Sequence, residues 1–488
     1  MKKLSVLLPA GVLLIVAIVA LRTLMLPAGS PPTESKASEA TDTSLGMETA
    51  ARLSRAIQFQ TVSWGGERGP DADAFEGFSA YLEDAYPAAH HAMTREIING
   101  HSLLYRWAGA NPNAKPIAFI AHIDVVPVEP GTESGWTAPP FAGEIEDGAV
   151  WGRGALDNKG QLISIMEAVE KLAASGFKPS RDIYLLFGHD EELGGENGAA
   201  MIAKTLAERG VHFEWTLDEG SGLVAGLVPG VERPLALIST AEKGSTTLHI
   251  TAKAAGGHSS APGKDTAVSL VARAVARVTD EPYPLEIDAD MVAFLHAVAG
   301  EMPFVPRALL ANLWLTAPII KKQLGEDPTT AAALRTTTAA TMINGGAKVN
   351  ILPQHADAYV NYRIHPRDTA ASVLDRAISI IDDENVEIEA VGARDPSPQS
   401  STRSDGYRAI AEATADVFGA VPTSPFLTLQ GTDTRNYIGL ADDYYRFTPF
   451  IYHKDDLKRI HGTDERVLIE DLVRASAWYE ALIRKTAS

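Results

Sequence analysis

Carboxylates and imidazoles gather where three short apolar runs end. His122-Ile123-Asp124 follows residues 117–121, Gly188-His189-Asp190-Glu191-Glu192 follows 183–187, and Asp218-Glu219-Gly220 follows 213–217. Taken singly, a His or Asp at a strand end is a cap or a loop hydrogen-bonder. Taken together, six carboxylates and two imidazoles at one edge repel strongly unless protons or cations neutralise them. Bound divalent metal is the simplest remedy. A fourth piece is the glycine-rich stretch Trp151-Gly152-Arg153-Gly154-Ala155-Leu156-Asp157-Asn158-Lys159-Gly160. Asn158 can cap the helix that follows, which leaves Asp157 free to bridge two cations. A phosphate loop needs Gly-Lys-Ser or Gly-Lys-Thr, and here Lys159 precedes Gly160.

These clusters need a scaffold that brings them together. Between the first two runs, Leu162, Ile165, Met166, Val169 and Leu172 recur at helical spacing across 159–174. A second helix is expected over 197–208, closed by Gly210. Apolar strands alternating with amphipathic helices imply an α/β fold, a mostly parallel sheet covered on both faces. Ligands in such sheets bind beyond the carboxyl ends of the strands, where all the clusters fall.

In order along the chain, His122-Ile123-Asp124-Val125-Val126-Pro127, the turn ending in Asp157-Asn158-Lys159-Gly160, Asp190-Glu191-Glu192 and His461-Gly462 resemble the motif set of di-zinc aminoacylase and carboxypeptidase metallopeptidases. The resemblance runs from about Met47 to the C-terminus. Gly431-Thr432-Asp433-Thr434-Arg435 and Arg459-Ile460-His461-Gly462 are similar to the carboxypeptidase S branch, which includes N-acyl amino acid hydrolases. The resemblance implies a zinc-exopeptidase-like fold and two zinc ions per chain, with cobalt or manganese also compatible with such ligands. Asp157 would bridge the ions, His122 and Asp218 would complete one site, and Glu192 and His461 the other. Glu219 is the alternative to Asp218; the family motif places the ligand directly after the apolar run. Asp124 would orient His122, and Glu191 would be the general base. His189 and His212 match nothing in the motif and read as structural or solvated.

From about Lys243 the pattern changes. Residues 246–253 alternate like a half-exposed strand, 266–278 read as a helix, 356–364 as a strand, 370–382 as a helix and 386–391 as a strand. This resembles an inserted α+β lid domain, with residues 283–342 as a helical insertion. The expected domains are a catalytic first part over 45–242, the lid over 243–393 and a catalytic second part over 394–488. The resemblance implies that His258, in Gly256-Gly257-His258-Ser259-Ser260, hydrogen-bonds the oxyanion of the tetrahedral intermediate, often across a homodimer formed through the lid. It also implies that Arg363 clamps the substrate carboxylate and that Asn350 adds a hydrogen bond.

The remaining features bound the function. At 488 residues the chain exceeds one ordinary core. A net charge of −19 argues against nucleic acid, and without cysteine there is no disulfide or thiol nucleophile. No Gly-x-Ser-x-Gly elbow marks a serine hydrolase. Lys2 and Lys3 precede an uncharged run over 4–21 that as a helix would extend about 27 Å. Residues 1–26 therefore read as a membrane anchor placing the catalytic domain on the extracytoplasmic side, or else as a signal segment whose cleavage releases the chain to the periplasm or outside. Residues 27–44, rich in Pro, Ser and Thr, read as a flexible linker. The expected reaction is hydrolysis of an amide next to a free carboxylate, in short peptides (carboxypeptidase or dipeptidase) or, alternatively, in N-acyl amino acids. A non-catalytic binding homologue is the distant alternative.

Overall fold

The computed structural model describes residues 2–27, 43–66 and 68–488, so most of the expected linker lies outside the described residues. The strands that build the two main sheets are, in chain order, β1 (Thr94–Ile98), β2 (Ser102–Trp107), β3 (Ile117–His122), β4 (Ile183–Gly188), β5 (Phe213–Val224), β6 (Leu235–Glu242), β7 (Gly244–Lys253), β8 (Thr337–Gly345), β9 (His355–Ile364), β10 (Val386–Arg394), β11 (Thr423–Thr428) and β12 (Ala441–Tyr452). The larger sheet runs β1-β2-β4-β3-β5-β12-β6-β11. Its centre is parallel: β3 pairs with β4 and β5, and β12 with β5. Antiparallel β1 and β2 close one side.

Strands β3 and β4 are buried along their whole length, as continuous apolar runs between two helical layers must be. Helices Lys159–Ala174 and Ile469–Ala487 share one face, where Phe119, Trp215, Trp478 and Tyr479 form part of the largest core. Helix Ala199–Glu208 covers the other face with Ile202 and Leu206 against Ile120 and Leu186. Burying side chains of this size contributes about 1.5–3 kcal/mol each, which holds the strand ends in a fixed array.

The second sheet has the order β8-β9-β7-β10, all antiparallel. Helices Ala267–Asp280 and Ala370–Ile381 cover one face. Thr266 and Thr369 each cap their helix in a reciprocal box with a serine three residues on. The region read as an insertion over 283–342 divides in two. Its first part is helical, with helices Ala289–Glu301, Phe304–Ala311, Leu313–Leu324 and Pro328–Leu334, and packs on the larger sheet through Leu295, Val298, Leu237 and Phe426. Its last residues form β8, the edge of the second sheet, because the strand pairs with β9 from Thr337↔Arg363 to Gly345↔Ala356. Length and polarity over 337–345 hid a strand that only its partner stabilises.

The N-terminal segment forms the helix Lys2–Met25. Among the described residues no helix is long and apolar enough to cross a membrane, so the expected anchor is not supported. The C-terminal turns of this helix are instead tied to the insertion. Asn312 Nδ2 donates to the Val19 carbonyl at 3.3 Å and to Thr23 Oγ1 at 3.2 Å, and Arg307 donates to the Leu26 carbonyl.

Candidate metal centre and active site

Each cluster arrives at the site on a different element. His122 ends β3, and Glu191 and Glu192 open the short turn Glu191–Leu193 after β4. Glu219 lies within β5, Asp157 precedes helix Lys159–Ala174, and His461 follows the short helix Asp456–Arg459. Two ligand groups result: His122, Asp157 and Glu219, and Asp157, Glu192 and His461. Asp157 belongs to both. His122 Nε2 is 2.9 Å from Asp157 Oδ1 and 3.3 Å from Glu219 Oε1. His461 Nε2 is 3.1 Å from Asp157 Oδ2 and 3.3 Å from Glu192 Oε2. One carboxylate thus presents one oxygen to each imidazole.

The donor set fits a pair of divalent cations. Burial alone would lower the pKa of His122, yet Glu219, Asp124 and Asp157 hold it well above the usual imidazole range. Hydrogen bonds to Asp157 and Glu192 push His461 up to about 10. Burial, then Asp157, pushes Glu219 up to about 7. Burial opposes ionisation of Asp157 too, but hydrogen bonds from both imidazoles draw its pKa down. Binding of divalent cations to such a set would release the protons that these imidazole–carboxylate pairs share. Glu192 Oε1 is buried with no hydrogen-bond partner among the described residues, an orphan that a cation would satisfy.

The structure assembles Glu219 with His122 where Asp218 was expected as the ligand. Successive strand residues face opposite ways. Asp218 is buried, and its Oδ2 accepts hydrogen bonds from Thr434 N and Oγ1, both at 2.8 Å. Asn158 is likewise not a side-chain cap: no capping bond is made, and its amide donates to Glu219 while its Oδ1 accepts from His122 N at 3.4 Å.

Asp124 sits under His122, whose Nδ1 lies 2.9 Å from the Asp124 carbonyl and 3.4 Å from its carboxylate. The same carboxylate accepts from Glu191 N and Glu192 N at 3.1 Å each and from Ser63 Oγ at 2.6 Å. It therefore places the turn carrying Glu191 and Glu192 as well as the imidazole. Glu191 belongs to neither ligand group; burial, then the nearby Asp433, raises its pKa well above the usual carboxylate range.

A brace that no spacing pattern announced joins two ligand loops. Buried Glu465 accepts from Gly154 N, Leu156 N and Asp157 N at 3.1, 2.8 and 3.0 Å, and from Arg153 Nη1 at 2.6 Å. Arg153 Nη2 reaches the carbonyls of His461 at 3.3 Å and Gly462 at 3.0 Å. The pair fixes the bridging Asp157 relative to His461. Its only sequence signal was an arginine between glycines.

The lid residues stand apart. His258 lies in the two-residue strand Gly257–His258, paired with Ile351–Leu352, and its Nδ1 lies 2.7 Å from Ser260 Oγ. The Asn350 carbonyl accepts from Ser259 N at 3.2 Å, so these two share the lid tip. Arg363 is at the far end of β9, opposite Ser245 and Thr337. All three are exposed. His189 lies 2.7 Å from Ser102 Oγ in the interior, and His212 pairs with Asp442 at the surface.

A parallel sheet whose strand ends converge on a shared carboxylate defines a metallohydrolase of the exopeptidase kind. Residues 118–485 match the model of peptidase family M20/M25/M40, and the chain belongs to that family. It is 37% identical over 447 residues to a probable carboxypeptidase S-like 2 of Dictyostelium discoideum, covering 90% of this chain and 85% of that one. It is 35% identical over 485 residues to the N-fatty-acyl-amino acid synthase/hydrolase PM20D1 of Xenopus tropicalis, covering 98% and 93%. Among solved structures, an M20 family metallo-carboxypeptidase, Sso-CP2 of Sulfolobus solfataricus, superposes with a TM-score of 0.64 at 20% identity over 90% of this chain and 99% of that one. The protein is accordingly a metal-dependent hydrolase of the carboxypeptidase and aminoacylase type.

Proposed function

We propose that the chain hydrolyses an amide bond adjacent to a free carboxylate, releasing the C-terminal residue of short peptides. The observation that carries this reading is Asp157, shared between two imidazoles that arrive on separate loops, with Glu191 beside both ligand groups and outside each. In this reading His122, Asp157 and Glu219 hold one zinc ion, and Asp157, Glu192 and His461 hold another; cobalt and manganese suit the same donors. When bound, the ions supply Lewis acidity. Glu191 takes a proton from the attacking water and delivers it to the leaving amine. Asp124 keeps His122 and the Glu191 turn in register.

Arg363 reads the substrate carboxylate, Asn350 adds a hydrogen bond, and His258 stabilises the developing oxyanion. Exposure of all three fits side chains that meet a site only on closure or in a second copy of the chain. N-acyl amino acids are the second reading, favoured by the relative that spans 98% of this chain and bears an N-fatty-acyl-amino acid hydrolase name. The two substrate classes share the amide and the carboxylate. The deciding experiment is metal analysis of the purified protein followed by a hydrolysis screen of dipeptides and N-acyl amino acids. About two ions per chain and turnover of either class support the reading. A metal-replete protein inert to both classes would leave a non-catalytic binding homologue.

A further inference from the structure

Residues 431–437 form a strap that touches three carboxylate-bearing segments. Thr432 donates from N at 3.2 Å and from Oγ1 at 2.8 Å to Glu242 Oε2. Thr434 makes the corresponding pair of bonds to Asp218, both at 2.8 Å, beside the ligand Glu219. Arg435 Nη2 donates to Glu191 Oε1 at 3.0 Å and to the Glu191 carbonyl at 3.3 Å. Between them Asp433 is buried, with its two carboxylate oxygens so close to Gly188 and Gly195 that a Cβ at either glycine would collide with it. The short helix Asp433–Tyr437 is thereby keyed to β5 on one side and to the loop after β4 on the other.

Among the described residues, the hydrogen-bond donor to the Glu191 carboxylate is Arg435. Asp433 and Glu219 repel the Glu191 carboxylate, while His122 and Arg435 attract it. A base displaced by about 1 Å can lose on the order of 100-fold in rate, so a carboxylate in such surroundings needs a partner that fixes its rotamer. A guanidinium fork held by a buried strap does this better than a flexible ammonium. We infer that Arg435 is a positioning residue: it holds one oxygen of Glu191 and leaves the other to take the proton, and the strap carries the register of the Glu219 strand to the base. This rests on the reading of Glu191 as the general base.

The test compares Arg435→Ala, Arg435→Lys and Glu191→Gln in the full-length, metal-loaded protein, with whichever of a dipeptide or an N-acyl amino acid it hydrolyses. Arg435→Ala should lower kcat about 10- to 100-fold with KM nearly unchanged, while metal analysis still finds the wild-type ion content. Free guanidinium should restore part of that kcat, and Arg435→Lys should fall between. In a Glu191→Gln background, Arg435→Ala should cost little more, as coupled neighbours do. A risen KM with intact kcat would make Arg435 a substrate contact and overturn the inference. So would loss of metal or of thermal stability that Arg435→Lys shares. If Glu191→Gln turned over normally, the base reading itself would fail whatever Arg435→Ala does; if only Arg435→Ala were silent, Arg435 alone would lose its role.

Discussion

The metal centre and the lid tip carry the same kinds of side chain under opposite conditions. Around Asp157 several side chains are held by a second group: His122 by Asp124, Glu219 by Asn158, Glu191 by Arg435, and the Asp157 turn by Glu465. At the lid tip His258 and Asn350 make only local bonds and face solvent. Crowded carboxylates in a low-dielectric interior must be neutralised and fixed at once, because an unpaired buried charge is costly. Exposed lid residues bear no such cost and acquire their geometry when a substrate or another surface arrives.

Breaking the shared carboxylate is the harshest test of this contrast. Asp157→Ala should abolish turnover and remove metal from both groups, and metal analysis should show the loss. Glu219→Gln should remove the ion shared with His122 only, whereas Asp218→Asn should retain the wild-type metal content. The reverse pattern would restore Asp218 as the ligand.

Glu191→Gln should keep its metal and lose about 10²–10⁴-fold in kcat, because the amide preserves shape and removes the proton acceptor. Measuring metal content and kcat on the same sample separates a lost base from a lost site.

On the lid, Arg363→Ala should leave metal content intact and weaken the preference for a free carboxylate. Truncating one partner of a desolvated charge pair costs about 2–5 kcal/mol, roughly 30-fold or more in specificity. The readout is kcat/KM for an N-acyl amino acid against its carboxamide in both proteins. An unchanged preference would move carboxylate recognition elsewhere.

The smallest effect concerns pH. The folded pKa of His461, about 10, lies above its ordinary value of 6.5, so its contribution to stability is complete below pH 6.5 and disappears as pH rises through 10. The side chain is 53% exposed, so solvent screening limits the contribution to about 1 kcal/mol or less. Metal-free protein should therefore lose thermal stability between those pH values, and His461→Ala should lose less. Equal falls in both proteins would mean that His461 is not paired in the metal-free state.

Strands β3 and β4, the start of β5 and the helix over 159–174 were legible because apolar periodicity states which residues a two-sided sheet must bury. The set of His122, Asp157, Glu191 with Glu192, and His461 came from the ordered motifs that resemble the metallopeptidase family; the crowding of charges at strand ends added only the need for a cation. Strand β8 was not, since a polar, exposed edge strand owes its existence to its partner β9. The Arg153–Glu465 brace also escaped, because its members lie 312 residues apart and neither stands in a pattern.

Sequence alone determined the fold class through local periodicity, and pointed to the family and its chemistry through an ordered set of motifs that resembles it. Only the tertiary structure places Glu219, and not Asp218, beside His122. The two are adjacent in the chain and alike in charge, and the choice rests on which face of β5 meets His122 and which meets Thr434. That is a property of strand register, set by long-range pairing.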